Sequence, residues 1–495
     1  MSAGLGSERG PAAGDGPIAG GSGAGTTCDA AVVGAGVSGL AAAVHLRRAG
    51  LITRVFEAAD DIGGRVRTDV HEGFRLDRGF QVLLTAYPEA AAVLDYRALD
   101  LRRFNAGALV WSGGRLHTLV DPRRRPTDAA ASLHGVLGAL RGAVAGPADD
   151  LRVLRLVRLL QRTEVAELFT AKQTTTARLL AAAGFSDRIV ERFFRPFLGG
   201  VFLEPGLSTA SGMFGFVLKM FADGAAALPA AGMGAIPRQL AGRLEAGTIT
   251  TGTPVTAVRG ATDPSGGEVV AVLGPDGELC RARVVIIATD EALPGTVPAE
   301  MGRAEWHAVT CLYFDAPRSP VRGPWLLLNG AGPAGQGAGP VNNVAVLSEV
   351  APEYAPPGRA LISVSVLGIP DDDDEPLAAQ VLGQLGVWFG GHRRRRPLRS
   401  TVTGSVAAGP LPDWRLLRVD RIERALPAFG PRRAAAVGEV LAGRTVATDG
   451  GGAAGAGDAR VPGVFFCGDR FDTPSLNGAL SSARRTAAAV AAYLR

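Results

Sequence analysis

Residues 28–68 read CDAAVVGAGVSGLAAAVHLRRAGLITRVFEAADDIGGRVRT, and the order of elements in this stretch decides the fold class. An apolar run at 30–33 leads into Gly34-Ala35-Gly36-Val37-Ser38-Gly39. The spacing of Leu40, Val44 and Leu46 then predicts a helix, closed by Arg47, Arg48 and Gly50. A second strand over 52–56 ends on Glu57. A GxGxxG set between a strand and a helix is informative where the same glycines in a loop are not. Gly34 allows a tight turn, Gly36 lets backbone approach a pyrophosphate, and Gly39 lets the helix lie close to the strand. The helix start at Val37 and Ser38 offers unpaired N–H groups and the positive end of its dipole to phosphate. Glu57, 23 residues after Gly34, is placed to accept from a ribose, and its charge would repel a 2′-phosphate. The expectation is an α/β chain with a Rossmann-like dinucleotide-binding unit.

The next residues, Asp61-Ile62-Gly63-Gly64-Arg65-Val66-Arg67-Thr68, sharpen this. With the preceding motif they resemble the FAD-binding segment shared by flavin-containing amine oxidases, protoporphyrinogen oxidases and phytoene-desaturase-like enzymes. The resemblance implies FAD as cofactor, with Gly63, Gly64 and Arg65 against its pyrophosphate and ribityl chain. A guanidinium suits a diphosphate because its planar fork gives two parallel charged hydrogen bonds. A second match lies at the other end. An apolar run at 464–467 stops at Gly468-Asp469, and SLNGALSSARR at 475–485 opens a last helix. This resembles the C-terminal FAD motif of the same enzymes. There Asp469 would bind ribityl hydroxyls, and the backbone of Gly478, Ala479 and Leu480 would face flavin N1 and O2. A helix N-terminus stabilises the anion that forms there on reduction. Between the two ends, ALPAAGMGAIPRQL at 227–240 resembles the family's Pro-x-Gly-Gly-Met element, with Ala231 replacing its first glycine. Val255 would meet the adenine through its backbone, and 73–83 would approach the flavin ring, putting Phe80 and Gln81 on the substrate side. Core packing fits Phe80 equally.

At 495 residues the chain exceeds one ordinary core. The resemblance implies a glutathione-reductase-type FAD-binding domain assembled from 27–99, 241–300 and 456–495. An α+β substrate domain is inserted as a helical part, 100–240, and a sheet part, 301–455. Residues 1–26 are Gly/Ala/Ser/Pro-rich without an apolar segment of signal-peptide type, and are expected as a flexible tail. No stretch is long and apolar enough for a membrane span. The expected location is cytoplasmic, or peripheral at a membrane through the helical region. The net charge of +5 is modest, and the basic runs at 123–125 and 393–396 are short and lack interleaved aromatics. A nucleic-acid partner is therefore not expected. Cys28, Cys280, Cys311 and Cys467 form no metal-ligand or redox spacing, which leaves buried thiols and no metal.

No second GxGxxG sits on a strand–helix unit, so electrons are expected from the substrate and not from a pyridine nucleotide, leaving to oxygen or a quinone. Amine oxidases of the family carry a lysine near flavin N5. The matching strand here, HAVTCLYF at 307–314, has none, and Thr310 is its nearest counterpart. Phe193, Phe194, Phe197, Phe202, Met213, Phe214, Phe216, Met220 and Phe221 crowd one segment. Most belong in a core, and Phe197, Phe202 and Phe216 are the candidates to line a pocket for a large apolar substrate. The implied reaction is hydride transfer from a C–H bond to flavin, of the phytoene-desaturase or protoporphyrinogen-oxidase kind. No general base stands out; Glu204 and Asp223 are the carboxylates to consider, with loop-surface roles expected for both. Amine oxidation is the alternative enzymatic reading, and a flavin-free binder of prenyl groups or lipids the alternative from another class.

Overall fold

The computed structural model describes residues 27–120, 144–263, 265–290, 293, 305–332, 335, 338–390, 411–441 and 461–495. The expected tail at 1–26 and the basic runs at 123–125 and 393–396 lie outside them. The first of two large sheets has seven strands, and its parallel part runs in the order Ile249–Thr250, Thr53–Phe56, Thr27–Val33, Gly277–Ile287, Val464–Phe466. The long strand Gly277–Ile287 serves two neighbourhoods. Its second half lies between Thr27–Val33 and Val464–Phe466, and its first half pairs antiparallel with Glu268–Gly274, which pairs with Ala257–Thr262. Ala30, Ala31 and Val32 are wholly buried, as a central strand covered on both faces requires. The helix Val37–Arg48 packs against the last helix, Leu476–Tyr493.

The second sheet also has seven strands: Arg415–Pro427, Trp306–Ala316, Ala360–Leu367, Val341–Val346, Leu326–Asn329, Gly107–Ser112 and Arg115–Val120. The helix Asp374–Gly390 covers one face, with Trp388 stacked on Trp111 at 5.9 Å. The helices of the middle segment include Pro147–Arg162, Val165–Thr170, Thr176–Ala182, Arg195–Phe202 and Ser211–Asp223. Arg195–Phe202 is entered through a π turn, Val190–Phe194. Pro196, with no N–H to give the Arg192 carbonyl, sits just after that turn. No helix among the described residues is long and apolar enough to cross a membrane.

Three elements were not legible from the residues: the strand Arg415–Pro427, the helix Pro431–Leu441, and the short strand Ala226–Pro229, which joins Leu83–Leu84 and Leu101–Arg103. The helix Asp374–Gly390 starts within the acidic run 371–374, and Asp374 pairs with Arg421.

Asp77, only 2% exposed, ties the two-stranded ribbon Thr68–His71 and Phe74–Asp77 to the second sheet. Its carboxylate accepts from Thr68 Oγ1 at 2.5 Å, Met233 N at 3.0 Å and Tyr354 Oη at 2.8 Å. Its carbonyl accepts from Tyr313 Oη and Arg418 Nη2. Burial pushes the Asp77 carboxyl up to about 6, against the pull of those three donors. A folded value above the unfolded one stabilises fully below the unfolded value and is lost as pH rises through about 6. Asp77→Asn, which keeps an acceptor for Thr68 and Met233, therefore gains on wild type by about 2 kcal/mol between pH 4 and 7. Denaturant melts of both proteins across that range check it; parallel pH profiles contradict it.

Candidate functional site

The parallel strands of the first sheet end along one edge, where ligands of doubly wound sheets bind. Gly34 leaves Thr27–Val33 at φ +102°, a conformation that side chains with a Cβ rarely take. A Cβ on Gly39 would stand 1.9 Å from the Gly34 carbonyl oxygen, so helix and turn touch through backbone. A Cβ on Gly36 would meet nothing within 4 Å, and no side chain caps the helix start there. Gly36 is thus a cradle open on the ligand side, with Val37 and Ser38 forming the first turn above it.

Glu57 fastens the turn: Ala35 N donates to its Oε2 at 2.6 Å and Ala59 N to its Oε1 at 2.9 Å. Its carbonyl accepts from Thr253 N at 2.8 Å, which brings the loop of Val255 alongside. Val255 packs on the cluster that holds Phe56 and Val258. Gly63 N donates to the Ala35 carbonyl at 2.9 Å, and a Cβ on Gly64 would sit 3.4 Å from Gly36 Cα. The two glycine loops therefore form one continuous floor.

Arg65 extends from this floor to the other end of the chain. Its Nη1 and Nη2 fork onto Asp469 Oδ2 and Oδ1 at 2.9 and 2.7 Å. Nη2 also reaches Asp290 Oδ1 at 3.1 Å, Nη1 reaches the Ala425 carbonyl at 3.2 Å, and the guanidinium lies 5.3 Å from the Trp306 ring. Burial opposes the Arg65 charge, but Asp469 and Asp290 more than offset it and hold its pKa above the ordinary value. Burial raises the Asp290 carboxyl, with Arg65 pulling the other way. Arg433 and Arg470 are lowered by burial despite attraction to Asp469, so the neighbourhood is rich in partly desolvated cations. Arg433 bonds the Ala428 and Arg470 carbonyls.

Gly468, at φ +146°, turns the strand Val464–Phe466 into Asp469, and Gly468 N donates to Ser482 Oγ at 3.2 Å. Ser475 caps the last helix, accepting from Gly478 N at 3.0 Å. A Cβ on Gly478 would stand 1.9 Å from the Thr473 carbonyl oxygen; Ala479 and Leu480 follow, buried.

On the substrate side some placements differ from expectation. Gln81 gives its amide hydrogens to the Arg65 and Arg78 carbonyls at 2.7 and 2.9 Å, so it braces the Arg65 loop. Phe80 is half-buried, edge-on to Phe104 at 6.2 Å. Phe197 stacks on Phe193 at 5.4 Å. Phe202 and Phe216 are core residues, 1% and 0% exposed, with Phe216 stacked on Tyr87. Phe216 also lines a cleft of about 210 Å³ together with Thr473, Asn477 and Ser481. Glu204 is buried, unlike the expected surface role, and its Oε1 locks a turn by accepting from Thr209 N and Oγ1. Asp223 pairs with Lys219 at 3.1 Å. Thr310 is buried and donates to the Gly368 carbonyl. Sequence reasoning missed Asp290, Trp306 and Arg433. The signal for Asp290 was present: like Glu57 and Asp469, it is an acid just past the end of a parallel strand.

A glycine floor at a helix start, an acid beside it and an Arg–Asp pair at the same sheet edge are the features of a dinucleotide-binding fold. The chain belongs to the flavin-containing amine oxidoreductase family, whose model matches residues 37–491, and it is an FAD-dependent oxidoreductase. This sets aside the flavin-free lipid binder. Coproporphyrinogen III oxidase of Mycobacterium tuberculosis is 32% identical over 180 residues, covering 34% of this chain and 36% of that one. Protoporphyrinogen oxidase 2 of Arabidopsis thaliana is 48% identical over 65 residues, 13% of each chain. Hydroxysqualene dehydroxylase of Rhodopseudomonas palustris is 50% identical over 56 residues, 11% of this chain and 13% of that one. The chain thus aligns with about a third or less of the length of these relatives. Among solved structures, a putative protoporphyrinogen oxidase from Exiguobacterium and a putrescine oxidase bound to putrescine each superpose with TM-score 0.62 at 17% identity. Each match covers 94% of this chain and 99% of the other, and shows a shared fold.

The two glycines separate cofactor from scaffold. Gly36→Val, facing open space, keeps the apoprotein fold at a cost of at most about 1 kcal/mol but abolishes FAD retention. Gly39→Ala, forced against the Gly34 carbonyl, loses about 3 kcal/mol. Thermal melts with flavin absorbance of the purified variants check both; a fully flavinylated Gly36→Val protein contradicts the assignment.

Proposed function

We propose that FAD lies along this edge with its diphosphate over Gly34, Gly36, Val37, Ser38 and Gly39 and beside Gly63, Gly64 and Arg65. Glu57 accepts from the adenosine ribose, and the Val255 backbone meets the adenine. Asp469, after Gly468, accepts from the ribityl hydroxyls, and the backbone of Gly478, Ala479 and Leu480 faces the flavin pyrimidine edge. The observation that carries this is the Arg65–Asp469 fork, which joins two motifs 404 residues apart at the mouth of the open glycine cradle. In this reading 27–99, 241–300 and 456–495 form a glutathione-reductase-type FAD domain, and 100–240 with 301–455 the inserted substrate domain.

Bound FAD supplies a hydride acceptor at N5 whose reduced form is anionic at N1–O2. The last helix, capped by Ser475, begins at this end of the site, and the positive end of its dipole would favour that anion. The substrate is a largely apolar molecule that gives up hydride from a C–H bond, in the manner of porphyrinogen or polyprenyl dehydrogenation. Oxygen or a quinone then takes the electrons. Support comes from the aromatic side chains of the helical segment, where half-buried Phe197 stacks on Phe193 and meets Phe221 edge-on, and from what the relatives are named for. Exposed Leu151 and Leu159, beside Arg155 and Arg158 on one helix, support uptake of a lipophilic substrate at a membrane surface.

Anaerobic mixing tests the substrate class. A porphyrinogen or a reduced polyprenyl compound is expected to bleach the oxidised flavin band, and putrescine is expected to leave it intact. Bleaching by the amine alone contradicts the proposal.

A further inference from the structure

Asp290 follows the strand Gly277–Ile287 and belongs to neither of the flavin motifs. It stands at the same edge as Glu57 and Asp469 and is held there from two sides. Its carboxylate accepts from Arg65 Nη2 at 3.1 Å, and its carbonyl accepts from Arg470 Nη1 at 3.0 Å. Arg65 Nη2 is therefore shared between Asp469 Oδ1 at 2.7 Å and Asp290 Oδ1 at 3.1 Å.

This sharing bears on how Asp469 becomes available. Both Asp469 oxygens bond Arg65, and the Asp469 side chain is 8% exposed against 37% for Asp290. A carboxylate that is to accept from sugar hydroxyls has to loosen that fork. A guanidinium stripped of its only carboxylate in a desolvated setting is strongly disfavoured. A second carboxylate already within bonding distance removes that obstacle, because the guanidinium changes its balance of partners without ever being unpaired.

We propose that Asp290 is a positioning residue for the cofactor: it keeps Arg65 anchored while Asp469 turns from the guanidinium to the cofactor's hydroxyls. The proposal rests on the placement of FAD against Arg65 and Asp469. Trp306, against the Arg65 guanidinium, and the Ala425 carbonyl limit where the freed fork can swing. Arg470, fixed to the Asp290 carbonyl, keeps the loop from following Arg65 inward.

Titration of cofactor-free protein with FAD, read by quenching of flavin fluorescence, tests this on wild type, Asp290→Asn and Asp290→Glu, with melting temperatures of the cofactor-free forms measured alongside. Asp290→Asn is expected to raise the Kd about tenfold, the equivalent of one charge-assisted hydrogen bond. Asp290→Glu is expected to return most of the affinity, and the melting temperatures to stay close together. Wild-type affinity in Asp290→Asn overturns the proposal. So does a loss of melting temperature and affinity together that Asp290→Glu does not relieve, since that is the behaviour of a packing residue. Wild-type protein that takes up no FAD contradicts the cofactor placement as well, whereas an unaffected Asp290→Asn contradicts the Asp290 role alone.

Discussion

The fork between Arg65 and Asp469 is the constraint on which the site depends. Exposed ion pairs contribute little to stability, because water and entropy offset the attraction. This one is different in three respects: Asp469 is nearly buried, both guanidinium nitrogens are engaged, and the aromatic face of Trp306 shields one side. Removing one partner from such a pair typically costs more than the pair contributes, since the remaining charge is stranded. The pair therefore acts less as glue than as a register pin. It fixes where the loop after the first glycine turn stands relative to the last strand, and Gln81 holds the Arg65 carbonyl from behind.

Both flavin motifs were readable in the sequence because their physics is local. A turn needing φ +102° at Gly34, a helix that can only lie close if residue 39 lacks a Cβ, and an acid ending the next strand are properties of consecutive residues. The strand Arg415–Pro427 shows the opposite case. Arg418, Asp420 and Arg421 interrupt its apolar positions, so its pattern reads as solvated loop. Their charges are answered by Asp69 for Arg418 and Asp374 for Arg421, hundreds and tens of residues away, and by Arg418 itself for Asp420. No window along the chain contains that information. The crowd of phenylalanines was legible as buried but not as to which neighbour each meets. Phe216 lies against Tyr87 and Phe197 against Phe193, choices made by tertiary packing. Glu204 was misplaced for a related reason: the donors that allow a carboxylate to be buried lie five residues on, at Thr209.

Between the sheets, Asp77 does for the scaffold what Asp469 does for the site. Tyr354 and Tyr313 of the second sheet's neighbourhood reach across to it, and Thr68, three residues after Arg65, shares its carboxylate. The loop that carries Arg65 is thus pinned at both ends by buried carboxylates. A scaffold fixed in this way tolerates wide change elsewhere, which fits a fold shared at 17% identity with a putrescine oxidase and a putative protoporphyrinogen oxidase. Such a fold hosts different substrates through the residues that line its second unit.

The central claim, that the beginning, middle and end of the polypeptide close around one FAD, is tested most directly by denaturing the purified protein and identifying and counting what it releases. The account predicts one FAD per chain, because in the proposed placement the Glu57 end of the site takes the adenosine half and the Asp469 end the ribityl half. Release of FMN in its place, or no flavin even after refolding in excess FAD, would contradict it.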